Sequence, residues 1–169
     1  TASSSATIDI TSGIDSTYKE YVFKFINIHP ANDDISFQFQ ADVGTGTSYA
    51  QTITSAHFRA THGEDDSSEG LSYITGGHLA QATGFQLLAG SVGNDADQNI
   101  AGILHLFEPS STTFVKHFIG NFQSIAHSNR TNNQYPTGYF NTTAAITRVR
   151  FKFSGGNIDS GTIKMYGIK

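Results

Sequence analysis

Strict alternation of apolar and polar residues constrains the fold of this chain more than any other feature of its sequence. In residues 35–42, ISFQFQAD, apolar Ile, Phe, Phe and Ala alternate with Ser, Gln, Gln and Asp. Residues 144–156, AAITRVRFKFSGG, alternate in the same way. Because successive side chains of a strand point to opposite faces of a sheet, both stretches are predicted to be β-strands with one buried face.

Similar runs recur along the chain between clusters of turn residues, mainly Gly, Asn, Asp, Ser and Pro. No convincing helix of about ten or more residues interrupts them, so βαβ units are not expected. The pattern predicts a single all-β domain over residues 8–169, an antiparallel β-sandwich that is jelly-roll-like. Residues 71–91 fit either a short helix or a strand with bends. The predicted strands cover residues 7–10, 16–30, 35–42, 54–62, 100–109, 112–122, 144–156 and 162–168.

The two ends of the chain carry different signals. Residues 1–7, TASSSAT, have the small-residue composition of a flexible linker or of the remnant of an anchor. Residues 155–169 consist of a turn segment and a strand with no polar tail, and a free terminal strand would fray. We therefore expect the last strand to be paired, with residues 145–153 as its hairpin partner.

Phenylalanine dominates the predicted core. The chain contains 13 Phe and 7 Tyr but no Trp and no Cys, and only 14% of its residues are charged. Phe should therefore fill the core, and neutral polar residues should cover the surface. The residues expected in the core are Phe23, Phe25, Phe37, Phe39, Val149, Phe151, Phe153, Ile163 and Met165.

Net charge and hydropathy argue against two classes of partner. The formal net charge is -4 and no basic stripe is visible, so nucleic acid is not an expected partner. No apolar run approaches the roughly 18 residues of a membrane-spanning helix, so no membrane span is expected. Because Cys is absent, disulfides and cysteine-based metal sites are excluded.

The sequence offers only incomplete candidates for a metal site. Its 7 His residues show no HxH or HExxH spacing. Asp95, Asp97 and Asn99 place oxygen atoms at alternate positions, as at the start of a calcium loop. However, Ile100 stands where such a loop needs Gly, and Leu106 stands where it needs Glu. We therefore expect no metal and no cofactor.

No catalytic constellation can be assembled from the sequence. Ser and His are plentiful, but a GxSxG motif is absent. Carboxylates that could form a glycosidase pair, such as Glu20 and Glu108, are candidates by residue type alone. The chain is therefore expected not to be an enzyme.

A polar segment at residues 126–138, AHSNRTNNQYPTG, is the best candidate for recognition. It is predicted to form a long loop, in which amide side chains and aromatic rings suit sugar hydroxyls or a protein surface. An ordinary solvated loop is the alternative, since Asn-rich loops are common. The candidate binding residues in and just after this segment are Arg130, Asn132, Asn133, Tyr135 and Tyr139.

Two terminal segments carry a resemblance to a known family. They are residues 8–40, IDITSGIDSTYKEYVFKFINIHPANDDISFQFQ, and residues 145–169, AITRVRFKFSGGNIDSGTIKMYGIK. Both resemble a β-sandwich domain of virion structural and tail-fibre-like proteins of marine, cyanophage-like bacteriophages. The hallmarks of that domain are STYxxYxFxFxNIxP near its start and GNIxSGTIxxYGI at its end. The middle of the chain, residues 63–138, matches weakly.

The resemblance implies an exposed, non-enzymatic domain on the surface of an extracellular virus particle. We expect a fibre or spike domain that contacts the host surface, through a glycan or a protein, and that also contacts other virion proteins. For the fibre role we expect a homo-oligomer, with a trimer favoured. Capsid decoration, as a head fibre or cement protein, is an alternative role. A carbohydrate-binding module is another, although sugar platforms often use the Trp that this chain lacks.

Overall fold

Antiparallel strands account for all the regular structure of this chain except one 3₁₀ turn at Thr75–Gly77. A computed structural model describes all residues 1–169. The all-β prediction is confirmed, and no helix is long and apolar enough to cross a membrane. The strands are β1 (Ala2–Ser5), β2 (Ile8–Ile10), β3 (Glu20–Pro30), β4 (Ile35–Val43), β5 (Ile53–Gly63), β6 (Glu69–Tyr73), β7 (Gln86–Val92), β8 (Ile100–Phe107), β9 (Lys116–Ala126), β10 (Arg130–Phe140), β11 (Ile146–Phe153) and β12 (Ile158–Ile168).

The strands form two layers that are joined at one corner. The first layer, which we call the long sheet, has the order β1-β12-β3-β8-β9-β10-β5-β6. The second layer, the short sheet, has the order β2-β11-β4-β7. Val92 of β7 pairs with Ala126 of β9, so the two layers are continuous at this corner. The predicted sandwich is therefore confirmed as a nearly closed arrangement of antiparallel strands.

The space between the layers is filled mainly by phenylalanine. Phe25 of β3 lies at the centre, with its ring centroid 5.6 Å from that of Phe37, 5.2 Å from that of Phe122 and 5.1 Å from that of Phe151. These rings come from both sheets and meet mostly edge to face, the arrangement that aromatic quadrupoles favour. Every predicted core residue lies in this cluster or packs against it.

A bulge in β3 changes which residues face the core. Simple alternation predicts that Ile26 and Ile28 share one face of β3, opposite the face of Phe23 and Phe25. Asn27 instead adopts a positive φ of 51°, and the pairing with β8 shifts between Phe25 and Ile28. Asn tolerates this backbone conformation better than most residues. The extra residue turns Ile28 into the core, where it is fully buried, and leaves Ile26 exposed.

The last strand is paired, as predicted, because β12 forms ladders with β3 and β1; its predicted partner and the predicted linker are corrected. Residues 1–7 are not simply a flexible linker, because Ala2–Ser5 forms β1 and pairs with β12. The last strand does not form a hairpin with residues 145–153. β12 lies between β1 and β3 in the long sheet, whereas β11 lies between β2 and β4 in the short sheet. The Gly- and Asn-rich segment between β11 and β12 therefore crosses from one layer to the other.

The ambiguous residues 71–91 contain several short elements. They include the end of β6, the 3₁₀ turn, an isolated bridge between Ile53 and Ala82, and most of β7. β8 and β9 form an antiparallel hairpin that is joined by residues 108–115.

Candidate functional site

The candidate recognition segment is a strand and not the predicted loop. Only residues 127–129 form a turn, and Arg130–Phe140 forms β10, which pairs with β9 on one side and β5 on the other. Asn, Gln and Pro are depleted in strands, so the sequence alone indicates a loop. Pairing on both sides overrides that preference. The hydrogen-bond ladder between β10 and β9 is interrupted at Tyr135 and Pro136, because Pro has no N–H to donate.

Strand alternation divides the five candidate binding residues between two surfaces. Asn133, Tyr135 and Tyr139 point to the solvent side of the long sheet, which we call the outer face. Arg130 and Asn132 point to the opposite side, where Asn132 is buried. The five residues therefore do not form one site, and each surface has to be considered separately.

The neighbouring strand β5 has inverted alternation. Its apolar Ala56, Phe58 and Ala60 share the outer face, whereas the polar His57 and Arg59 point inward. Phe58 is 42% exposed, while His57 is fully buried. A strand that places its polar residues inside and its aromatic residue outside departs from the usual pattern of a half-buried sheet. Both sides of the sheet are therefore unusual at this position, and each is a candidate for binding.

Exposed large apolar side chains are concentrated on the outer face. Nine such residues occur in the whole chain, and all but Phe114 lie on this face. Phe114 belongs to the connection between β8 and β9. The outer-face set spans six strands and consists of Ile26, Phe58, Leu71, Tyr73, Ile103, Ile119, Tyr166 and Ile168.

An ordered aromatic and amide cluster lies at the β5–β10 end of the outer face. The rings of Phe58 and Tyr135 stack with centroids 4.7 Å apart and planes at 12°. The Asn133 amide donates to the Tyr135 hydroxyl at 2.9 Å, and the Asn121 amide donates to the Asn133 carbonyl oxygen at 2.9 Å. This part of the face is thus held in one arrangement before any partner binds, which lowers the entropic cost of binding.

A second row of side chains crosses the middle of the outer face. Thr137, Ile119, His105, Val22 and Tyr166 lie opposite one another on β10, β9, β8, β3 and β12. The row is apolar except at its Thr and His members. It links the β10 end of the face to the β12 end, so the exposed apolar residues belong to one surface.

On the inward side, β5 and β10 line a small cleft that we call the arginine cleft. Arg59 and Thr61 reach it from β5, and Arg130 and Asn132 reach it from β10. The cavity has a volume of about 100 Å³. The Thr61 hydroxyl donates to the Asn132 carbonyl oxygen at 3.0 Å. The remaining lining comes from Ser91, Ala126, His127 and Ser128, so no carboxylate lines the cavity.

Deeper along the same side of β5, His57 is enclosed by protein. Its ring nitrogens are buried without hydrogen-bond partners of normal geometry. The pKa of His57 is lowered to about 4, mainly by burial; Gly77 and Gln134 act in the opposite direction, and the positive charge of Arg59 adds to the lowering. His57 is thus neutral at physiological pH and adds no charge to the arginine cleft.

The incomplete calcium motif is organised by an amide side chain. The Gln98 side-chain oxygen accepts from the Asp95 N–H at 3.1 Å, and the Gln98 amide donates to Asn129 at 3.1 Å. Asp97 and Asn99 take no part in these bonds. No group of three or more His, Asp or Glu side chains that could hold a metal ion is present in the chain.

Comparison with known proteins gives no family. No protein-family model matches the chain. No curated protein and no solved structure matches it either. The candidate binding residues lie on the two faces of β10, the outer face and the side of the arginine cleft.

Proposed function

We propose that this chain is a non-enzymatic structural protein of a bacteriophage particle, an exposed fibre- or spike-type domain that acts by contact at the host surface. Two observations support the proposal. The terminal segments resemble a virion domain family, and the two layers provide a rigid scaffold for surface recognition. The single observation that carries a role in contact with other protein surfaces, copies of this chain included, is the concentration of exposed apolar side chains on the outer face.

The chemistry of the outer face favours another protein surface as its partner. Monomeric proteins rarely expose large contiguous apolar patches, and such patches with polar rims mark interaction sites. Here Ile103 and Ile119 lie on the neighbouring strands β8 and β9, and Tyr166 lies on β12, beyond β3. Lys24 and Lys164 lie opposite each other close by. Aromatic and aliphatic residues surrounded by polar ones are typical of protein–protein interfaces.

We propose that the outer face joins copies of this chain, with a trimer favoured. An oligomeric fibre domain needs an apolar contact surface on each copy, and this face offers residues from six strands. Oligomerisation would also present several copies of any host-binding site at once, which strengthens attachment by avidity.

The oligomeric state in solution tests this proposal. Sedimentation equilibrium of the wild-type chain should give an oligomer, and Ile119→Arg, in the middle of the outer face, should give a monomer with an unchanged circular dichroism spectrum. Phe114→Arg is the matched control, because Phe114 is 70% exposed but lies outside the face. A wild-type chain that stays monomeric at high concentration, or a control that dissociates as Ile119→Arg does, would contradict the proposal.

A further inference from the structure

The two arginines of the arginine cleft have no partner within the protein. Neither Arg59 nor Arg130 makes a salt bridge or a side-chain hydrogen bond. The Arg59 Nε atom is buried and unpaired. By contrast, Arg150 donates two hydrogen bonds to Asp9. Buried polar groups are usually satisfied, so the unpaired Arg59 Nε atom at the wall of a cavity points to a ligand.

The groups around the cleft are mainly hydrogen-bond donors. Because the Asn132 carbonyl oxygen already accepts from Thr61, the Asn132 amide N–H groups remain free. Ser91 and Ser128 add hydroxyls, and no carboxylate lines the cavity. Two guanidinium groups with amide and hydroxyl donors match an oxyanion, because the planar fork of Arg can hold two oxygen atoms at once.

We propose that the arginine cleft binds the carboxylate or sulfate group of an acidic saccharide. Ala126 is the one apolar residue among its lining residues, so the surroundings favour a hydroxylated ligand over an apolar peptide. The cavity of about 100 Å³ holds a single acidic group and not a whole sugar chain.

The entrance of the cleft further restricts the ligand. Glu64, Asp65 and Glu69 border the adjoining depressions that Arg130 also lines. These carboxylates repel additional negative charges. The site therefore prefers a saccharide with one isolated acidic group over a densely charged polyanion.

The inference rests on the proposed attachment role for its biological setting, but the binding itself is measured on the purified chain. Titrations followed by ¹⁵N NMR compare galacturonic acid, galactose 6-sulfate and neutral galactose. We expect the acidic sugars, and not galactose, to shift the Arg59 and Arg130 side-chain signals and the Thr61 and Asn132 amide signals. Binding of only one acidic sugar identifies the group as carboxylate or sulfate.

Variants locate the binding. Arg59→Gln and Arg130→Gln should each weaken binding of the acidic sugar about tenfold or more, since a hydrogen bond to a charged group is lost. Lys164→Gln is the matched control, because it removes one positive charge on the outer face. If Arg59→Gln fails to fold, Arg130→Gln alone tests the inference, because Arg130 is exposed.

Three results would overturn the inference. They are the absence of shifts with both acidic sugars, equal binding of galactose, and an equal loss in Lys164→Gln. The monomeric Ile119→Arg variant should bind the acidic sugar as the wild type does. Failure of the self-association proposal and failure of this inference are therefore separate outcomes.

Discussion

Arg150 of β11 donates two hydrogen bonds to the Asp9 carboxylate of β2, from Nε at 2.7 Å and from Nη2 at 2.6 Å. The guanidinium also lies over the Tyr49 ring, 4.1 Å from its centroid. Only three residues of β2 pair with β11. This bidentate ion pair is therefore a main attachment of the edge strand to the short sheet.

Breaking this ion pair should destabilise the fold in a pH-dependent way. Asp9→Asn should lower the free energy of unfolding by roughly 1–3 kcal/mol at pH 7. Hydrogen bonding from Arg150 holds the pKa of Asp9 below its usual value of 3.8. The contribution is thus complete above that value and is lost as the pH falls through the lower, folded-state pKa.

Urea denaturation at pH 7 and at pH 3 measures this effect. Glu108→Gln is the control, because its ion pair with Lys19 is largely exposed and should contribute less than about 1 kcal/mol. Equal losses of unfolding free energy in Asp9→Asn and Glu108→Gln would show that the Arg150–Asp9 pair stabilises the fold no more than an exposed ion pair does.

His57 should make the protein sensitive to mild acid. The folded protein keeps His57 neutral down to a pKa of about 4, whereas the unfolded chain takes up the proton near 6.5. Acidification between these values therefore favours the unfolded state, by about 2 kcal/mol from this group between pH 7 and pH 5.

The difference between wild type and His57→Asn isolates this contribution. Urea denaturation at pH 7 and at pH 5 should show a smaller acid-induced loss of unfolding free energy in His57→Asn than in the wild type. His62→Asn is the control, because His62 lies five residues further along β5 and is exposed. This variant should show the same acid-induced loss of unfolding free energy as the wild type. An unchanged pH dependence in His57→Asn would mean that the buried imidazole is protonated in the folded protein.

Gly77 should tolerate no side chain. A Cβ atom there would collide with the His57 ring and lie 2.9 Å from Leu87 Cδ2. Gly77→Ala should cost roughly 1–3 kcal/mol of unfolding free energy, as overpacking does. Gly76→Ala is the neighbouring control, because a Cβ at Gly76 meets nothing within 4 Å. Similar stabilities of the two variants in urea would argue against a tight fit around His57.

Phe37 should be a large contributor to core stability. It is fully buried, and its ring lies 5.6 Å from that of Phe25 and 5.2 Å from that of Phe153. Phe37→Ala should cost roughly 3–5 kcal/mol, the range for deleting a buried aromatic ring. Phe114→Ala, at an exposed position, should change stability by less than about 0.5 kcal/mol. Thermal unfolding of both variants checks the difference.

The sequence predicts the core strands well because burial imposes a regular pattern on them. β4 and β11 each have one face against the Phe cluster, and apolar and polar residues alternate visibly in the sequences of both strands. The bulge at Asn27 is less visible, because it shifts the register of a strand that is apolar on both sides. The partner of β12 is not predictable from local sequence, since pairing across layers depends on the whole topology.

The candidate site is harder to predict because its strands depart from the usual pattern. β10 lacks an apolar periodicity, and its strand structure comes from its neighbours. Arg59, which the sequence alone does not single out, lies on the inward side of the inverted strand β5. Its only sequence signal is the alternation of His57, Arg59 and Thr61 with Ala and Phe, which indicates a strand but not which side is buried.

The place of β3 in the long sheet determines when the protein can finish folding. Phe25 pairs with Gly102 on one side and with Ile163 on the other. Contacts so distant in sequence form slowly, because a long loop must close first. During synthesis, β3 leaves the ribosome well before β12 exists, so one of its edges and its phenylalanines remain uncovered. Until β12 has been synthesised, the nascent chain therefore exposes an edge and an apolar surface through which it can pair wrongly with other chains.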